Sequence, residues 1–131
     1  MPLRLLIIPD KFKGTLTARQ AAEAIAQGWR ESRPDDVIEL LPMSDGGDGF
    51  GEVIAGLLPV TEQTVRTCTA AHEPHTGKWW WDVSGKTAVI ETAQIIGLAL
   101  QPPGRLRPFD LDTFGLGAVF QAAAEKGARS C

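Results

Sequence analysis

Leu3-Arg4-Leu5-Leu6-Ile7-Ile8-Pro9-Asp10-Lys11-Phe12-Lys13-Gly14-Thr15 is the stretch that decides the fold class. Its first half is a largely apolar run of strand length, the pattern of a strand buried in a parallel sheet. Its second half is a loop. Thr17-Ala18-Arg19-Gln20 then reads as a capping box, with the Thr17 hydroxyl and the Gln20 amide serving backbone groups at a helix start. Ala18, Ala22, Ile25 and Trp29 fall on one face of that helix, and Arg33-Pro34-Asp35 stops it, because proline disfavours the α conformation in the residue before it. The pattern then repeats. Residues 37–41 form a second apolar run, Pro42-Met43-Ser44-Asp45-Gly46-Gly47-Asp48-Gly49 a second loop, and Phe50, Val53, Ile54, Leu57 and Leu58 a helical stripe halted by Pro59. Strand, helix, strand and helix with short loops predict a βαβα unit with parallel strands.

Both loops follow predicted strands, at the end where open α/β sheets place their ligands. The first carries one carboxylate and two ammonium groups. The second carries two carboxylates among three glycines, which let a backbone approach a bound group closely. Such a pairing suits a site that neutralises phosphate and holds a divalent cation. Asp-Gly-Gly is equally good turn chemistry, so spacing alone leaves a structural loop and an anion or metal site both open. The Walker A pattern G-x-x-x-x-G-K-[ST] is absent, which excludes an ordinary P-loop as the source of the signal.

Composition narrows the class further. At 131 residues and 44% apolar content the chain can bury a core of single-domain size. Thirteen basic and sixteen acidic side chains give a net charge of −3, which argues against nucleic acid or an anionic membrane as partner. No apolar run approaches bilayer length, and no signal-peptide pattern is expected at the start. Cys68 and Cys131 fit no metal or redox spacing, so reduced thiols in a cytoplasm are the expectation.

Beyond Pro59 the character changes. Residues 60–69, 78–83 and 87–92 read as β-strands, and Ser84-Gly85-Lys86 as the turn of a hairpin. A second, mixed α/β substructure is therefore expected, with residues 1–59 and 60–131 belonging to different domains. Trp79, Trp80 and Trp81 must alternate faces on a strand, which exposes at least one ring if the reverse face is solvated. Pro102-Pro103-Gly104 marks a loop. A last helix over residues 115–126 places Leu116, Val119, Phe120, Ala123 and Ala124 on one face, with Gly127 as its cap. His72-Glu73-Pro74-His75 offers two imidazoles, but Pro74 makes it a turn and no third ligand type clusters nearby.

Four stretches together resemble the glycerate kinase family. The Pro9–Thr15 loop is similar to the family's P-D-S-F-K-G, and the Pro42–Gly49 loop to P-M-A-D-G-G-E-G-T. Val89-Ile90-Glu91-Thr92-Ala93 with Gly97-Leu98 resembles V-I-E-M-A…G-L, and Asp112-Thr113-Phe114-Gly115-Leu116-Gly117 resembles T-T-Y-G-T-G-E. The order is the same, and the four motifs extend across nearly the whole chain. The resemblance implies a flavodoxin-like α/β domain followed by a second mixed α/β domain. It implies transfer of the γ-phosphoryl group of ATP, with Mg²⁺, to a hydroxyl of D-glycerate. It also implies that this chain corresponds to the first third of a family member and stops before a glycine-rich G-G-S-A-T-x-D-G-G segment. A fragment inert or able only to bind a hydroxy acid, or half of a split enzyme working with a separate C-terminal chain, are the alternatives.

Carried onto matching positions, the resemblance implies catalytic roles for Asp10, Lys13 and Asp45, and metal ligation by Asp45 and Asp48. Lys11, Ser44, Gly46, Gly47, Glu91, Thr113, Gly115 and Gly117 become candidate substrate or nucleotide contacts. Asp45 is the best proton acceptor for an alcohol substrate. Lys11 stands for the usual Ser, Asp48 for Glu, Phe50 and Leu116 for Thr, and Ala118 for Glu. Glu91 would be costly to bury unpaired, which leaves it as a ligand or the partner of a buried cation. Thr113, Gly115 and Gly117 would offer hydroxyl and N–H groups at a helix start, or simply cap and pack it.

Overall fold

The computed structural model describes residues 1–101, 104 and 107–131, so the predicted loop at Pro102 and Pro103 lies outside the described residues. The chain forms two compact units, Met1–Val53 and Ile54–Cys131.

The first unit opens with β1 (Arg4–Ile7), α1 (Ala18–Ser32) and β2 (Val37–Leu40), and α2 (Phe50–Leu57) begins in it. β1 and β2 pair in parallel, Arg4 opposite Val37 and Ile7 opposite Leu40. The predicted capping box is present: the Thr17 N–H donates to Gln20 Oε1 at 2.9 Å, and the Gln20 N–H to Thr17 Oγ1 at 3.2 Å. α1 ends at Ser32, just ahead of Pro34.

The buried stripe of α1 differs from the predicted one. Ala18, Ala21, Ala22 and Ala26 are buried, while Ile25 is 46% exposed. Small side chains let the helix lie close to the sheet, where Ala22 and Ala26 pack with Ile7, Leu5 and Ile38; the stripe is rotated by about one residue, with Ile25 at its rim. Trp29 is half-buried and its indole N–H donates to Asp36 Oδ2 at 2.9 Å. The Asp36 carboxylate also accepts from the Leu3 N–H and the Arg33 guanidinium. It closes the end of the unit opposite the two motif loops. α2 forms as its periodicity predicts, yet Leu57 and Leu58 remain exposed and only Gly51 is buried.

The second unit is an antiparallel meander of β3 (Thr61–Cys68), β4 (Pro74–Asp82) and β5 (Thr87–Val89), in that order across the sheet. The β4–β5 hairpin turns where Ser84-Gly85-Lys86 predicts. Asp82 accepts from the N–H groups of Ser84 and Gly85, and Lys86 takes a φ of 50°. β5 stops at Val89, shorter than predicted, because the chain turns into α3 (Ala93–Ile96). α3 packs on β4 and α4 (Leu116–Glu125) on β3.

Trp79, Trp81, Ala88, Ile95, Val119 and Ala123 form the core between sheet and helices. Gly77 allows this fit, since a Cβ there would lie 1.8 Å from Ile95 Cδ1. Trp79, Trp80 and Trp81 are all buried, so the reverse face of β4 is covered at Trp80 and the condition for an exposed ring is not met. On α4, Val119 and Ala123 are buried as predicted, while Phe120 is 46% exposed. Gly127 caps the helix with a φ of 90°, its N–H reaching Ala124 O and the Ala128 N–H reaching Ala123 O, a Schellman arrangement.

Candidate functional site

Parallel pairing of β1 and β2 delivers the two motif loops to the same end of the first unit. The Met43 N–H donates to Pro9 O at 3.0 Å and fastens the start of the second loop to the start of the first. The first loop then closes on itself. Phe12 and Leu16 exchange backbone bonds of 2.9 and 3.1 Å around Gly14, whose φ is 76°. Asp10 Oδ1 accepts from the Lys11 N–H at 2.6 Å.

In the second loop, Ser44 Oγ accepts from the Gly46 N–H at 3.2 Å and Asp45 Oδ1 from the Gly47 N–H at 2.9 Å. Gly46 and Gly49 take φ values of 95° and 87°, which side-chain-bearing residues rarely adopt. The two loops meet through side chains as well, Lys11 Nζ donating to Asp48 Oδ2 at 2.7 Å. That bond, above all, holds the Asp48 carboxyl below its ordinary pKa, and the Lys13 charge adds a smaller pull.

Asp10, Asp45, Asp48 and Lys13 are exposed, while Lys11 is half-buried. The structure thus brings Lys11 and Asp48 together, and it links Asp10 to Lys11 and Asp45 to Gly47 within their own loops. Among the described residues no group of three His, Cys, Asp or Glu side chains is placed to hold a metal. Magnesium is commonly held by only one or two carboxylates together with substrate phosphates. Exposed Asp45 and Asp48 are of the right chemistry for that arrangement.

The remaining candidates lie in the second unit. Glu91 is 2% exposed, and Oε1 of its carboxylate accepts from the Gln94 amide at 3.4 Å at the entrance to α3. In the Thr113–Gly117 segment, Thr113 O and Phe114 O accept from the N–H groups of Leu116 and Gly117. Those two donors are therefore already used within the turn. The Thr67 hydroxyl donates to Gly115 O at 2.5 Å, and a Cβ on Gly115 would sit 2.0 Å from Cys68 O. Glycine is required there by close packing. Gly117 has open space around the position of a Cβ.

Two polar constellations escaped the sequence reading. The Asp36 knot is one. The other joins His72 Nε2 to Asp112 Oδ2 at 2.9 Å, with the His72 ring 5.8 Å from that of Phe114 and the Phe114 N–H donating to Asp112 Oδ1. His75 bonds instead to Gln94 O at 2.7 Å, so the two imidazoles serve separate partners. His72 and Asp112 stand 40 residues apart, a separation that leaves no spacing signal.

The model of the glycerate kinase family matches residues 5–131. The chain belongs to the glycerate kinase family. A glycerate kinase of Bacillus subtilis is 35% identical over 128 residues, which cover 96% of this chain and 33% of that protein. An uncharacterized Mycobacterium bovis protein is 38% identical over 128 residues, with the same two coverages. A crystal structure from Salmonella typhimurium LT2, provisionally designated glycerate kinase 2, superposes with a TM-score of 0.75 at 28% identity. It spans 97% of this chain and 34% of its own. This glycerate kinase family chain spans about a third of the length of the curated relatives it matches. None of the described helices is long and apolar enough to cross a membrane.

Proposed function

We propose that this chain supplies the opening portion of a glycerate kinase, which moves the γ-phosphoryl group of ATP to a hydroxyl of D-glycerate in the cytoplasm. Residues 1–59 and 60–131 would begin its two domains. The observation that carries the reading is the meeting of a lysine-bearing loop and a glycine-rich acidic loop at the ends of parallel strands, bridged by Lys11 and Asp48, in a chain of this family.

Phosphoryl transfer depends mainly on positioning and on neutralising charge. In this reading the exposed Asp45 carboxylate accepts the hydroxyl proton, and Asp45 with Asp48 would hold a Mg²⁺, which would supply neutralisation of phosphate charge. Lys13 meets an anionic oxygen of substrate or nucleotide, and Asp10 orients the glycerate hydroxyl. Ser44, Gly46 and Gly47 shape the loop around the substrate. By family resemblance Glu91, Thr113, Gly115 and Gly117 remain candidate contacts for substrate or nucleotide, Gly115 through the close packing it permits. No nucleic acid or membrane enters the reading, consistent with a net charge of −3.

A coupled ADP-release assay with Mg-ATP and D-glycerate tests it on two proteins. One is the 131-residue chain; the other is a chimera joining it to the part of the Bacillus subtilis relative that it does not span. The expected result is no turnover by the chain alone and ordinary kinase turnover, roughly 1–100 s⁻¹, in the chimera. A chimera that folds but ignores glycerate sinks the assignment. Turnover restored by adding the second part as a separate polypeptide would identify a split enzyme.

A further inference from the structure

Resting on that reading, we propose that Lys11 is a positioning residue whose ammonium acts through Asp48 to hold the 44–49 loop, leaving Lys13 as the first loop's contact for an anionic ligand. The bond joins residues 37 apart in sequence at 2.7 Å. The Lys11 side chain is 19% exposed against 60% for Asp48, so the lysine is the enclosed member of the pair. Its stem runs beside Gly49, where a Cβ would come within 3.9 Å of Lys11 Cδ. Its own N–H is tied to Asp10 Oδ1. The ammonium is therefore set at a fixed place rather than free to sweep the solvent, as that of exposed Lys13 is.

The loop that Lys11 grips has a particular need of it. The side-chain bonds at Gly46 and Gly47 are local, each reaching back two residues to Ser44 and Asp45. They shape the turn without fixing it in space. Met43, bonded to Pro9 O, anchors the start of the loop, and the Lys11–Asp48 bridge anchors its end. Asp45 lies between these two anchors. An exposed ion pair contributes little to global stability, so loss of Lys11 should appear in the loop and in the catalytic step rather than in the melting temperature.

Two experiments decide it. In the 131-residue chain, amide exchange at Gly46 and Gly47 should speed up by about tenfold in Lys11→Met. It should return to the parent rate in Lys11→Arg and in the charge-swapped double variant Lys11→Asp/Asp48→Lys. Unchanged exchange in Lys11→Met, or no recovery in either rescue variant, overturns the proposal. In the chimera, Lys11→Met should lower kcat by roughly tenfold to a hundredfold with the KM values for ATP and glycerate unmoved, whereas Lys13→Met should raise a KM. A Lys11→Met variant that raises KM with kcat intact would make Lys11 a direct ligand contact and refute the positioning role. If the parent chimera has no glycerate-dependent turnover, the kinase reading fails by itself, and the exchange experiment still decides what Lys11 does.

Discussion

In the Ile54–Cys131 unit, Trp79 and Trp81 are covered by Ile95, Val119 and Ala123; in the Met1–Val53 unit, β1 and β2 rest on alanines of α1 and leave Leu6, Ile8 and Val37 about half exposed. The contrast follows from connectivity. An antiparallel meander is built from neighbouring segments, and the helices that cover it come next in the chain. A parallel pair spends its intervening helix on one face, which leaves the other face open within its own unit. The motif loops sit on the less finished of the two units. Its loop geometry leans on local bonds, the Met43–Pro9 backbone bond and the Lys11–Asp48 ion pair more than on a deep core.

Damage to the core of the second unit should have the largest effect. Trp81→Ala should cost about 3–5 kcal/mol, the range for losing a large buried aromatic, read as a shifted denaturant midpoint. A cost below about 1 kcal/mol would mean that the second unit is no better packed than the first. Next in size is Asp45→Asn in the chimera, expected to lower kcat by about a hundredfold or more, as for a positioned proton acceptor. Full activity would remove Asp45 from the chemistry.

In the first unit the Asp36 knot substitutes for a deep core, and Asp36→Ala should lower the melting temperature by roughly 10 °C. Arg33, followed by the Leu3 N–H, holds the Asp36 carboxyl far below the ordinary range. A depressed folded pKa means stability that is present in full above the unfolded value of about 4 and lost as pH falls toward the folded one. The acid limb of the melting curve should therefore flatten in Asp36→Asn; an unchanged limb would assign acid sensitivity elsewhere. Smallest of all, Leu6→Lys should alter stability by less than about 0.5 kcal/mol while reducing the binding of a hydrophobic dye. Dye binding indifferent to Leu6 would show that the open face of β1 is not what attracts it.

How much of this was legible in the sequence differs between the units too. The βαβα order, the Thr17 capping box, the hairpin at Ser84-Gly85-Lys86 and the Gly127 cap were all readable, because each depends on residues within a few positions of one another. The exact stripe of α1 was not, since burial at Ala21 and Ala26 rather than Ile25 is decided by how close the sheet lies. Burial of all three central tryptophans depends on what covers the second face of β4, which alternation cannot supply. At the candidate site the motif residues were legible, but not their partners. Lys11 with Asp48 and His72 with Asp112 come together only through the fold.

The clustering of Trp79, Trp80 and Trp81 in one strand gives the molecule an optical asymmetry. With no tyrosine in the chain and four tryptophans, three of its strong chromophores report on the meander, and Trp29 alone reports on the motif-bearing unit. Trp79 and Trp81 stand edge to face with ring centroids 6.3 Å apart, close enough for their strong far-ultraviolet transitions to couple and to imprint a circular dichroism couplet. That couplet should vanish when the meander melts, whatever happens to Trp29. Emission from Trp29, beside the Asp36 carboxylate, would follow the other unit. Replacing Trp29 with phenylalanine would separate the two signals, so that the order in which the units come apart could be read from native fluorescence without any attached label.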